Sequence, residues 1–150
     1  MFNTKACCLA FALVFGHLEI AVAAEPEAIG TVKYLAGSAA IRQGGQSTGA
    51  AVGSPVRLND TLATDPEASI GVTIKDGTLL SLGPDSEMVI DELVYDPARK
   101  NVGLNVNVLH GTFSYLSGRI AKINPEAVTV KTPTAVIGIR GTRFLLSVAE

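Results

Sequence analysis

Cysteine is confined to Cys7 and Cys8, tryptophan is absent, and beyond residue 24 histidine occurs once, at His110. Each scarcity closes off a chemistry. A chain without cysteine after its first two dozen residues builds neither disulfides nor thiolate metal sites in its folded part. A lone His110 has no ligand set and no acid–base partner nearby in sequence. Charge of one sign is also lacking. The formal net charge of -2 excludes the strong basic footprint of a nucleic-acid binder. After the N-terminal segment, no stretch keeps helical spacing over three turns, and none is apolar enough to cross a membrane.

Glycine is what the chain has in plenty: 15 residues, beside seven prolines, in a chain of 150 residues. That balance suits a turn-rich all-β domain. Residues 1–24 differ from the rest. Lys5 precedes the apolar run Ala6 to Phe15, and Ala21-Val22-Ala23-Ala24 supplies small residues. The pattern is that of a secretory signal peptide cleaved after Ala23 or Ala24. The expected mature domain is 25–150, periplasmic or secreted, beginning with a loose Glu25 to Ala28.

Along the mature chain, short apolar segments alternate with turn signals. Gly30 to Leu35 and Ser38 to Arg42 read as the first two strands. The glycine-rich Gln43 to Gly49 lacks the lysine and following helix of a phosphate loop, so it reads as a hairpin tip. Register can be argued for the next hairpin. A three-residue loop, Lys75-Asp76-Gly77, pairs Val72 with Leu80 and Ile70 with Leu82 and gives Gly77 the left-handed position. Glu87 to Tyr95 reads as a strand of mixed phase. Val102, Leu104, Val106 and Val108 then alternate with polar or small residues, as in a half-buried antiparallel strand. That phase breaks at Leu109-His110-Gly111, which predicts a bulge or tight turn.

The stretch from Thr129 to Val148 carries the longest β-branched run, and we expect it to organise the sheet. Pro133 and Gly141 divide it into strand, kink, strand, turn and final strand. Gly141 is a structural turn whose replacement by valine should cost more than at Gly45. Arg140 and Arg143 flank that turn. They are the candidate contacts for a partner or anion, since arginine binds carboxylates and phosphates bidentately. Asp60, Asp76, Asp85 and Asp96 all lie at turns, where aspartate bonds the local backbone. Adjacent Asp91 and Glu92 point to opposite faces of a strand and form no carboxylate pair. No nucleophile elbow surrounds any serine. No catalytic residue, cofactor or metal is therefore assigned.

The order of these motifs resembles the FecR domain family. The resemblance rests on Gly37-Ser38-Ala39-Ala40-Ile41, Leu58-Asn59-Asp60-Thr61-Leu62-Ala63-Thr64 and Asp76 to Ser86. It continues through Asp91 to Pro97, Gly111 to Gly118 and Lys131 to Thr142. It implies an all-β periplasmic domain with no enzymatic activity that meets protein partners. Signalling members carry a cytoplasmic sigma-factor segment and a membrane helix. Here no such segment precedes the apolar stretch, so the iron-signalling role is not carried over. The expectation is a single antiparallel β-sandwich or β-roll that binds an envelope protein. The alternative is an envelope polysaccharide or other glycan, for which Tyr34, Tyr95 and Tyr115 could line a groove.

Overall fold

The structure, a computed structural model, describes residues 23–149. The expected signal peptide therefore lies almost wholly outside the described residues. Among the described residues twelve strands follow one another: β1 Ala28–Ala36, β2 Ala39–Gln43, β3 Gln46–Gly49, β4 Pro55–Arg57, β5 Thr61–Thr64, β6 Ser69–Ile74, β7 Leu79–Leu82, β8 Glu87–Asp96, β9 Asn101–Leu116, β10 Val128–Lys131, β11 Val136–Gly138 and β12 Arg143–Val148. One turn of helix, α1, spans Arg119–Ile123. The fold is all-β, a single curled sheet in the order β3-β2-β5-β8-β9-β7-β6-β1-β4, so the roll and not the sandwich describes it.

The organising element is β9, not the terminal stretch. It is 16 residues long and belongs to both limbs of the curled sheet. Its first half pairs with β8 on one side and β10 on the other. Its second half pairs with β7 and β12. Alternation explains the first half: Leu104, Val106 and Val108 are fully buried. The expected break then appears as a register shift, with Glu87 opposite His110 and Met88 opposite Val108. One extra residue on β9 re-aims the strand, so Phe113 and Tyr115 take over the core face. Gly111 makes the bend, with φ +88. A Cβ there would stand 2.5 Å from the Ser86 Cα and 2.1 Å from its Oγ, so both conformation and space require glycine. A second shift at Ile90/Glu92 accounts for the mixed phase of β8.

The β6–β7 hairpin has the expected register, Ile70 with Leu82 and Val72 with Leu80. Gly77 has φ +87 in its three-residue loop. Asp76 does more than close that loop. Its carboxylate accepts from the Thr78 N–H at 3.0 Å, the Thr78 hydroxyl at 2.7 Å and the Ile120 N–H at 3.1 Å. The start of α1 is thereby pinned against the hairpin. From α1 the chain returns beside the first half of β9, and β10 runs parallel to it. This departs from an all-antiparallel sheet, and the crossover through α1 is what permits it.

The stretch Glu25 to Ala28, expected to be loose, is tied to the sheet. Arg57 donates to the Pro26 carbonyl at 2.9 Å and the Glu25 carboxylate at 2.7 Å, and Lys75 pairs with Glu27.

Candidate functional site

The candidate site is the free edge of β12 and the sheet face beside it. From Arg143 opposite Leu116 to Val148 opposite Gly111, β12 pairs with β9. Among the described residues no strand pairs with its other side. Alternation sets its two faces. Phe144, Leu146 and Val148 pack half-buried against the core, while Arg143, Leu145 and Ser147 face outward. Leu145 is 71 % exposed. From Phe144 to Val148 the strand has no charge and no proline, the usual guards of an edge. Its backbone donors and acceptors are open to a partner strand.

The outer face next to this edge is unusually small and uncharged. One cross-strand row reads Tyr34, Gly71, Ser81, Ser114 and Leu145 over β1, β6, β7, β9 and β12. A shallow depression of about 250 Å³ lies over it.

The two arginines do not converge on a common partner. Arg140 pairs with Glu126, so its charge is matched within the chain. Arg143 opens β12 on the exposed face, with no ion pair among the described residues. Gly141 has φ +132. No atom lies within 4 Å of a Cβ built at Gly141, and the same holds at Gly45, which has φ +86. The expected contrast between those two glycines loses its steric basis.

His110 sits at the β9 bulge. Its Nδ1 lies 3.1 Å from the Asp85 carbonyl and its Nε2 3.6 Å from the Glu87 carboxylate. Arg42 reaches the same carboxylate at 3.4 Å. These contacts tie β2, β8 and β9 together across the sheet. Among the described residues no group of three His, Cys, Asp or Glu is placed to hold a metal.

The tyrosines separate. Tyr34 is exposed, Tyr95 half-buried and Tyr115 fully buried, so they do not line one groove. Burial, aided by the Asp76 carboxylate, pushes the Tyr115 phenol up to about 12. Its hydroxyl faces that carboxylate and Thr78 without a well-formed hydrogen bond.

A family model described as FecR protein matches residues 60–150. The chain belongs to the FecR family. The matched region starts at Asp60 and takes in β5 to β12, including the β9 scaffold and the β12 edge. No curated protein and no solved structure matches. FecR membership fits an envelope-associated sensing domain. No helix among the described residues is long and apolar enough to cross a membrane.

The final strand expected after Gly141 is β12, and the sheet order is what leaves its outer side open. The outer row is not legible in the sequence, because Tyr34 and Gly71 lie far apart in the chain and meet only through the β1–β6 register.

Proposed function

We propose that this FecR-family domain is exported to the periplasm or beyond and works there without catalysis. It binds another envelope protein by strand addition along β12. The observation that carries this reading is the unguarded edge from Phe144 to Val148, with Leu145 exposed at its centre. Main-chain pairing supplies affinity in such a complex, and alternate side chains supply selectivity. Arg143, exposed at the start of the edge, would meet an acidic residue of the added strand.

The test is capture from envelope extract by the immobilised protein. The intact chain should retain a specific protein. A Leu145→Lys/Ser147→Lys variant, which places charges on two exposed positions of the edge, should lose it while its melting temperature stays close to that of the parent. Equal retention by both proteins would overturn the reading.

A further inference from the structure

We propose that the depression on the outer face, between Tyr34 of β1 and Leu145 of β12, is a binding subsite for one neutral sugar unit. The Tyr34 ring lies over Gly71: a Cβ at Gly71 would stand 2.0 Å from ring Cε1 and 2.6 Å from Cδ1 and Cζ. Glycine at that one position lets the ring settle against the sheet. Tyr34 nonetheless stays 40 % exposed, so the ring offers an amphipathic surface held in place before any ligand arrives. Ser81 and Ser114 follow in the same row, and Ser69 and Thr112 also line the depression. Each hydroxyl can donate and accept. Leu145 closes the far side.

Three features select the ligand class. None of the lining residues is charged, which argues against phosphate, carboxylate or cationic ligands. The site lies on a sheet face, where backbone groups are already paired within the sheet, so an extended peptide finds no ladder to join. An apolar ring beside several hydroxyls suits a molecule with both C–H faces and hydroxyl edges. A sugar ring has both, and about 250 Å³ holds one such unit. The aromatic cover of Gly71 also serves the sheet itself, so the test must read binding apart from stability.

The experiment uses the protein in solution with chitotetraose, cellotetraose and maltotetraose as probes, followed by amide NMR shifts. Shifts should concentrate at Tyr34, Ser69, Ser81, Thr112 and Ser114 for at least one probe. Tyr34→Phe should keep binding, and Tyr34→Ala should weaken it at least ~10-fold, a factor set by about 1.4 kcal/mol. Gly71→Ala, which must displace the ring, should weaken it while leaving every ring atom in the protein. Capture of an envelope protein at β12 should survive Tyr34→Ala, so the two readings can fail separately. No shift with any probe, shifts elsewhere, or undiminished binding by Tyr34→Ala in a folded protein would each overturn the proposal.

Discussion

β9 and β12 run side by side in the same sheet, in opposite surroundings. β9 has neighbours on both sides at 104–107 and again at 113–116. Its core residues Leu104, Val106, Val108, Phe113 and Tyr115 are at most 1 % exposed. β12 is paired on one side, and its faces alternate between half-buried and exposed. Both are rich in β-formers, so propensity does not separate them. Position in the sheet does. A strand enclosed on both sides carries the fold, and a strand open on one side is available for binding.

The largest effect expected from this contrast is at Gly111. Gly111→Val forces a β-branched residue into a positive φ and into the Ser86 backbone. Strain and overpacking together should cost about 3 kcal/mol or more, read as a collapse of the thermal or urea transition. Gly141, on the approach to β12, has a positive φ but open space. Gly141→Val should cost about 1 kcal/mol. Equal costs would erase the distinction between the two strands.

Next in size is Asp76→Ala, at the junction beneath the C-terminal end of β9. It strips partners from the Thr78 hydroxyl and from the Thr78 and Ile120 N–H groups. A loss of about 2–3 kcal/mol in denaturant unfolding is expected.

Tyr115 gives a pH signature on β9 that β12 lacks. Its folded pKa is raised to about 12 from 10.0. A raised folded value means that stability is full below pH 10.0 and is lost as pH climbs towards 12. The loss is on the order of 2 kcal/mol. Tyr115→Phe should remove that part of the alkaline decline, measured as the difference between the two proteins' stability curves.

The smallest stability effect is expected on the edge itself. Leu145→Lys should change the unfolding free energy by no more than ~0.5 kcal/mol, because the side chain is already in solvent.

Much of this contrast was legible in the sequence where the reason is local. The β6–β7 register follows from pairing like faces through a three-residue loop, and the structure has it. The break at Leu109-His110-Gly111 is visible as a change of phase, and the structure turns it into a bulge within one long strand. What stayed hidden depends on contacts distant in the chain. Asp76 reads as a turn aspartate, and nothing local says that it also holds Ile120. The parallel β9–β10 pair needs the crossover through α1. The terminal stretch has the most β-rich composition, but composition does not report how many neighbours a strand will have. At the candidate site, Arg140 and Arg143 were found by type. Only the fold shows Arg140 joined to Glu126 and Leu145 exposed between the open edge and the outer face.

Amide hydrogen exchange along β9 and β12 under native conditions tests the central claim most directly. An open edge leaves alternate N–H groups unbonded. The account predicts slow exchange, close to the global unfolding limit, at Leu104 to Val108 and at Phe113 to Tyr115. Along Phe144 to Val148 it predicts alternation, with every second amide exchanging fast. Uniform slow exchange along β12 would mean that its outer edge is already covered, and would contradict the assignment of β12 as the binding edge.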